Sequence, residues 1–101
     1  MSSVIYGMLK EEKERNLELQ DLYFEEIESL SKGSIIEKEI SGKKYYYLKY
    51  WKDNKAKMDY LGKDEDMIEK IRFEIKRRKH LQKVIKRLKS EYKEICKVVK
   101  D

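Results

Sequence analysis

The run at residues 43–57 alternates aromatic rings with ammonium groups, which makes it the stretch of the chain best suited to binding. Aromatic residues favour β-strands, and rings interleaved with lysines suit a surface that stacks on bases and neutralises phosphates. We expect Tyr45, Tyr47 and Trp51 to stack on the bases or sugars of a nucleic acid. The lysines of the run are Lys43, Lys44, Lys49, Lys52, Lys55 and Lys57. The alternative is that the tyrosines pack a thin sheet and the lysines protect its edges from aggregation.

A second candidate site is a cluster of cations towards the end of the chain. The residues expected to neutralise a nucleic-acid backbone there are Arg77, Arg78, Lys79, Lys83 and Lys86. Four consecutive cations at residues 76–79 cover all sides of a helix, so at least part of the cluster faces solvent or a partner. The alternative is internal pairing with the glutamates of residues 11–28, where each exposed ion pair contributes only about 0–1 kcal/mol.

Catalytic and metal chemistry find little support in the sequence. His80 is the only histidine and Cys96 the only cysteine. Two such side chains do not make a zinc site, and a catalytic nucleophile needs a positioned base and a third group that orients the base. We therefore expect a non-catalytic protein with no metal site and no cofactor.

Composition and charge indicate the cellular compartment of the protein and the kinds of partner that it can attract. Charged residues make up 45% of the 101 residues. Residues 1–42 hold 5 basic and 10 acidic side chains and residues 70–101 hold 13 and 4, so the two ends can attract separate partners or each other. A single cysteine favours a reducing compartment, and the sequence shows neither a signal peptide nor the roughly 20 apolar residues that span a bilayer. These features predict a soluble, cytoplasmic protein with no membrane partner.

The order of the periodic patterns predicts an α+β fold in one domain at residues 1–101. A helical pattern over residues 3–31 precedes strand patterns within residues 34–62, and a second helical pattern covers residues 64–99. The strands are expected at residues 34–40, 44–51 and 56–61. Turn-forming residues separate the strands, which indicates a three-stranded antiparallel meander.

Alternation of side chains along each strand assigns them to two faces of the sheet. The residues expected on the buried face are Ile36, Ile40, Tyr46, Leu48, Tyr50, Ala56, Met58 and Tyr60. The residues expected on the opposite, binding face are Tyr45, Tyr47, Lys49, Trp51, Lys57 and Asp59. A one-residue change in either turn would alter which neighbours they meet, and the sequence leaves both turn lengths open.

Heptad spacing predicts that the second helix packs back on the first as a helical hairpin. The seam residues of the second helix are Leu81, Ile85, Leu88, Tyr92, Ile95 and Val99. The apolar residues Ile68, Ile71 and Ile75 follow a different phase, and the interruption falls on the basic cluster. In the first helix the apolar stripe fades between Lys10 and Asn16, so this stretch is expected to be solvated or to contact another molecule. The longer second helix would find further cover in a homodimer.

Residues 33–36 read GSII, residues 45–48 read YYYL and residues 60–63 read YLGK, ahead of a basic helix. This pattern resembles an uncharacterised family of short bacterial, archaeal and phage proteins, and the likeness covers about residues 30–100. It implies a protein of a phage or other mobile element, with no activity attached. The sheet followed by a helix is also similar in architecture to the arm-type DNA-binding domains of tyrosine recombinases, a likeness that transfers no residue roles.

Two functions are therefore expected. The first is a non-catalytic protein that binds DNA or RNA through the sheet surface and the basic helix. The alternative is a protein-interaction module, such as an antitoxin or an anti-CRISPR-like inhibitor of a host defence nuclease, whose partner is itself a nucleic-acid-binding protein. A steep loss of binding affinity with rising salt would favour the nucleic-acid-binding function. Loss of binding on substitution of Trp51 or of the acidic surface at residues 11–14 would favour the protein-interaction module. A homodimeric coiled coil without another ligand is a third possibility.

Overall fold

The computed structural model describes residues 3–100. The elements in chain order are helix α1 (Ser3–Ser29), strands β1 (Ser34–Ile40), β2 (Lys43–Lys52) and β3 (Lys55–Gly62), and helix α2 (Glu65–Val98). This arrangement confirms the predicted α+β fold. The described residues form two compact units: a helical unit at residues 3–29 and 80–100, and a sheet unit at residues 30–79, so that α2 contributes residues to both. Within residues 3–100 neither helix combines the length and the apolar character that crossing a membrane requires.

In the helical unit, α1 packs against the second part of α2 along a seam that is polar in its middle. Asn16 is 5% exposed, and its side-chain Nδ2 donates a hydrogen bond of 2.9 Å to the carbonyl oxygen of Leu88. The Nε2 atom of Gln20 donates to Asn16 Oδ1 at 2.6 Å. Both polar atoms of the buried amide are therefore satisfied, which removes the penalty that an unpaired polar group would impose.

Lys13 continues this polar seam. Its ammonium group lies 5.9 Å from the ring centroid of Tyr92 and 3.5 Å from the carbonyl oxygen of Val99. The expectation that residues 10–16 are solvated or contact another molecule is therefore wrong for Lys13 and Asn16. Heptad spacing does continue through this stretch, but with long polar side chains whose stems cover apolar surface while their heads find partners.

The predicted seam of α2 is buried in part within the chain. Leu81, Ile85 and Val99 are buried, and Ile27 of α1 is 7% exposed in the same unit. Lys89 also reaches across to α1, with its ammonium 5.5 Å from the ring centroid of Phe24. The other three seam residues, Leu88, Tyr92 and Ile95, are half-buried.

The sheet unit is a meander with strand order β1-β2-β3 and antiparallel pairing throughout. Both turns contain two residues with positive φ, Ser41 (52°) with Gly42 (77°) and Asp53 (53°) with Asn54 (60°). Positive φ at both central residues defines a type I′ turn, whose twist matches that of a β-hairpin. Each hairpin therefore closes immediately beside its turn, which sets the register of β1 with β2 and of β3 with β2 up to Tyr47, where the pairing of β2 with β3 shifts by one residue.

Helix α2 begins beside the sheet and packs on one side of it. Asp64 caps the helix, because its Oδ1 accepts hydrogen bonds from the backbone N–H groups of Asp66 and Met67 at 3.1 and 3.2 Å. Three isoleucines in the first half of α2 are buried: Ile68, Ile71 and Ile75. Within this unit Ser31 also donates two hydrogen bonds to the carboxylate of Glu74, which attaches the segment before β1 to α2.

The register corrects the expected assignment of faces. Ile36 lies opposite Tyr47, and Tyr47 lies opposite Tyr60, so these three side chains share a face. The assignment was right for β2 and wrong for β1 and β3, because it gave even-numbered residues of all three strands the same face, whereas the observed pairing joins even numbers to odd. The misassigned residues are Ile36, Ile40, Ala56, Met58, Tyr60, Lys57 and Asp59. Two-residue turns pair Ile40 with Lys43 and Lys52 with Lys55, which shifts both outer strands by one position against β2.

Candidate nucleic-acid interface

One face of the sheet presents aromatic, aliphatic and lysine side chains to solvent. This open face consists of Ser34, Ile36, Lys38, Ile40, Lys43, Tyr45, Tyr47, Lys49, Trp51, Ala56, Met58 and Tyr60. Trp51 is 65% exposed and Tyr60 is 59% exposed. The helix-side face carries Tyr46 beside Ile68 and Ile35 beside Ile75. Large rings left in water on one face, while α2 lies at the other, mark the open face as a candidate binding surface.

Three tyrosines form a cluster on the open face. The ring centroids of Tyr47 and Tyr60 are 5.4 Å apart with an interplanar angle of 53°, and those of Tyr45 and Tyr60 are 6.3 Å apart at 40°. With Ile40 they line a shallow depression of about 340 Å³. Tilted contacts at these separations hold aromatic rings in place while leaving parts of their faces accessible. The depression is large enough to receive a flat group such as a nucleobase.

The ammonium groups of two lysines lie over rings of this tyrosine cluster. The ammonium group of Lys38 lies 5.1 Å from the ring centroid of Tyr47, and that of Lys63 lies 5.0 Å from the centroid of Tyr45. Such contacts contribute roughly 0.5–1 kcal/mol at exposed sites and keep each charge over the rings. The sequence-based site included neither Lys38 nor Lys63, and it placed Tyr60 on the wrong face. The signal that would have found Lys38 and Tyr60 is the two-residue length of the turns.

The carboxylates of the strands lie on the helix-side face. Glu37 forms an ion pair of 3.2 Å with Lys44, and its hydrogen bond and charge raise the pKa of the Lys44 ammonium. Asp59 accepts a hydrogen bond from the Tyr50 hydroxyl, which raises the pKa of that phenol. Glu39 shares this face. In the strands that the structure describes, no acidic residue belongs to the open face.

Lys57 does not join the surface on which the sequence placed it. It lies opposite Tyr50 across the β2–β3 pairing and therefore on the helix-side face. Tyr45, Tyr47, Lys49 and Trp51 do lie together on the open face. Four of the five residues predicted for the sheet site therefore lie on the open face. Lys57 does not, whereas Lys38 and Lys63, which were not predicted, lie over its tyrosine rings.

Trp51 borders a second recess at the end of the sheet where β1 starts. This recess, of about 370 Å³, is lined by Trp51 and Lys49 together with Lys32 and Gly33. A Cβ atom at Gly33 would overlap the carbonyl oxygen of Lys49, and the φ of Gly33 is +114°. Only glycine fits such a backbone, so the chain passes close enough to β2 to form this edge of the recess.

The predicted cations of α2 have different surroundings. Arg78 donates a hydrogen bond of 3.3 Å to the carbonyl oxygen of Leu30 and is half-buried, so it helps to hold the sheet unit together. Arg77 is also half-buried, whereas Lys79 is exposed in the same unit. Lys83 and Lys86 are exposed within the helical unit. The three lysines are therefore better placed to meet a ligand than Arg78 is.

The remaining reactive side chains form no cluster in the described part of the chain. Cys96 is a half-buried free thiol, and His80 is exposed. In residues 3–100 no group of three or more histidine, cysteine, aspartate and glutamate side chains is arranged to hold a metal ion.

Fold and surface together define a small α+β protein with a solvent-facing aromatic and lysine-bearing sheet. The chain belongs to the DUF6788 family, whose model describes a domain of unknown function and matches residues 9–71. The expected membership of an uncharacterised family is confirmed, although the match begins in α1 and ends early in α2 rather than covering residues 30–100. The motif and the spread among phages and archaea remain predictions. No curated protein and no solved structure shows significant similarity to the chain.

Proposed function

We propose that the protein is a non-catalytic nucleic-acid-binding protein that acts in the cytoplasm and binds through the open face. The observation that carries this proposal is that the carboxylates of the strands lie on one face of the sheet only. Both faces carry rings and lysines, but Glu37, Glu39 and Asp59 all lie on the helix-side face. A polyanion approaching the open face meets positive charge and stacking surface without direct repulsion from the sheet's own carboxylates.

Stacking favours a nucleic acid with unpaired bases. The open face offers tyrosine and tryptophan rings, and in a duplex the faces of the bases are already stacked on one another. It carries no arginine, asparagine or glutamine in the described strands, which are the side chains that most often read base edges in a groove. Single-stranded DNA or RNA, bound with little sequence preference, therefore suits this face better than duplex DNA does.

The test is fluorescence anisotropy with labelled single-stranded DNA, single-stranded RNA and duplex DNA at low and near-physiological salt. We expect tighter binding to the single strands and a steep fall in affinity as salt rises. The double variant Lys38→Gln/Lys49→Gln should lose affinity. Lys55→Gln/Lys57→Gln removes the same charge from the helix-side face and is the matched control. Equal losses in the two variants, or no binding of any nucleic acid at low salt, would contradict the proposal.

A protein-interaction module is the second candidate, and the exposed aliphatic side chains of the open face favour it. Ile40 is 52% exposed and Met58 is 43% exposed. Aliphatic side chains contribute to protein interfaces and add little to base stacking. For an antitoxin or nuclease inhibitor, the variants Ile40→Ser and Met58→Ser would abolish partner binding while salt changed the affinity only slightly.

A further inference from the structure

A basic recess of about 290 Å³ lies beside the start of β1 in the sheet unit. Gly33 and Ser34 line one side, and Arg72, Lys76 and Lys79 of α2 line the other. Two isoleucines complete the lining, and no carboxylate belongs to it. Sequence reasoning found the lysine-rich part of α2 but gave no reason to expect a backbone segment opposite it.

The three cations are placed to act on one ligand. Their spacing of four and three residues puts them on the same side of α2. Arg72 also contacts Glu69 at 3.5 Å, a weak pair because both side chains are largely exposed. Lys76 and Lys79 are exposed, and the structure shows neither in an ion pair with a carboxylate of residues 3–100. The recess therefore keeps a local excess of positive charge.

The recess adjoins the open face through the Gly33–Ser34 backbone. These two residues also line the recess that contains Lys49 and Trp51. A ligand that lies across Gly33 and Ser34 would reach basic side chains on both sides of this backbone. A polymer with regularly spaced negative charges fits this succession of recesses.

We propose that this basic recess binds a phosphate group. Lys76 and Lys79 provide point charges, and the planar guanidinium of Arg72 can donate two parallel hydrogen bonds to phosphate oxygens. The phosphate belongs either to a nucleic-acid backbone or to a free phosphate compound. Only the first source rests on the proposed function, since the recess and its charges exist independently of base stacking.

The experiment is a two-dimensional ¹H–¹⁵N NMR titration of the full chain at constant ionic strength. Its three arms are inorganic phosphate, pyrophosphate and a single-stranded oligonucleotide, with sodium chloride as the reference. We expect saturable shifts at Gly33, Ser34 and the Lys76 and Lys79 amides. The variant Lys76→Gln/Lys79→Gln should weaken binding at least about tenfold. Lys70→Gln removes an exposed lysine of α2 outside the recess and should leave the shifts unchanged.

Each outcome has a definite meaning. Saturation by inorganic phosphate or pyrophosphate without oligonucleotide binding supports the recess, assigns a free phosphate compound and contradicts the proposed function alone. Saturation by the oligonucleotide at the Lys76 and Lys79 amides, which line this recess alone, supports the recess and assigns a backbone phosphate. If the oligonucleotide shifts only the amide signals of open-face residues, the proposed function is supported. The phosphate site is then overturned, unless inorganic phosphate or pyrophosphate saturates the basic recess. The site is also overturned if chloride produces the same shifts as all three ligands.

Discussion

Tyr47 and Tyr60 face each other across β2 and β3 with their ring centroids 5.4 Å apart, and together with Tyr45 they form the centre of the open face. Tyr60 has the most accessible ring of the three, with 59% of its surface in solvent. It touches two neighbouring rings on the protein side. A base stacked on Tyr60 would therefore add one more ring to the group of aromatic rings that Tyr45, Tyr47 and Tyr60 already form.

The variant Tyr60→Ala should weaken binding of single-stranded nucleic acid by a factor of about 5 to 150, since stacking of one base contributes about 1–3 kcal/mol. Tyr60→Phe keeps the ring and should bind nearly as the parent does. Tyr6→Ala removes another exposed tyrosine, from α1, and serves as the matched control. Anisotropy titrations measure the three affinities, and circular dichroism checks that each variant is folded. An unchanged affinity for Tyr60→Ala would rule out stacking at this ring.

The lysines of the two sheet faces should differ in the salt dependence of binding. Each phosphate contact on a single strand contributes about 0.7 to the slope of log K against log salt. The variant Lys38→Gln/Lys49→Gln should therefore reduce the slope by about 1.4, whereas Lys55→Gln/Lys57→Gln should leave it nearly unchanged. Titrations at four or more salt concentrations give the slopes. The assignment of the open face fails if the helix-side pair produces the larger change.

Gly33 should be the least replaceable glycine of the sheet unit. Gly33→Ala forces a side chain into a conformation with φ of +114° and against the carbonyl oxygen of Lys49. We expect a loss of at least about 2 kcal/mol in the free energy of unfolding. Gly42→Ala, with φ of +77° and open space around it, should cost only about 1 kcal/mol. Urea denaturation measures both values, and equal losses would contradict the close approach at Gly33.

The buried amide of Asn16 predicts opposite effects for two substitutions. Asn16→Asp would place a carboxylate against the carbonyl oxygen of Leu88 in a nearly water-free position, and it should destabilise the helical unit by about 3 kcal/mol. Asn16→Leu should preserve stability or raise it, because an apolar side chain suits a helical seam. Thermal unfolding followed at 222 nm compares the two. A fully stable Asn16→Asp variant would mean that the amide is not buried in this seam.

Tyr50 should ionise at higher pH than an ordinary phenol, because its hydroxyl donates a hydrogen bond to Asp59 and the pKa of the phenol is raised. The contact therefore contributes stability below the unfolded-state pKa of about 10, and this contribution is lost as pH rises through the higher folded-state pKa. Tyrosine ¹³Cζ shifts followed by NMR from pH 8 to 12 report each phenol separately. Asp59→Asn should return the pKa of Tyr50 towards the ordinary value, and a Tyr50 that titrates at or below the ordinary pKa of a phenol would contradict the contact.

The sequence was sufficient to predict the order and type of all five elements and to place their ends close to the observed ones. Apolar periodicity and turn residues are local properties, so they can be read from one chain. The faces of the β2 residues were also predicted correctly, because alternation within one strand needs no partner. Lys57 was misplaced since its face depends on the pairing of β3 with β2. The pairing, in turn, depends on the length of a turn that sequence alone left open.

The polar seam of α1 was missed for a different reason. Lys13, Asn16 and Gln20 continue the heptad spacing of Tyr23 and Ile27, but a search for apolar residues does not detect them. Their burial depends on specific partners, namely the ring of Tyr92 and the carbonyl oxygen of Leu88. Partners more than seventy residues away cannot be identified from local patterns.

The two-residue turn at Ser41 and Gly42 also has a consequence for how relatives of this chain should be compared. One inserted residue there would exchange the two sides of β1 against a fixed β2. Glu37 and Glu39 would then stand beside Tyr45 and Tyr47 and Lys38 would leave, so the positive charge of the strand residues on this face would be cancelled although no side chain had been substituted. Gaps in this turn therefore carry as much information about ligand preference as substitutions do, and two family members of similar composition can present surfaces of different charge.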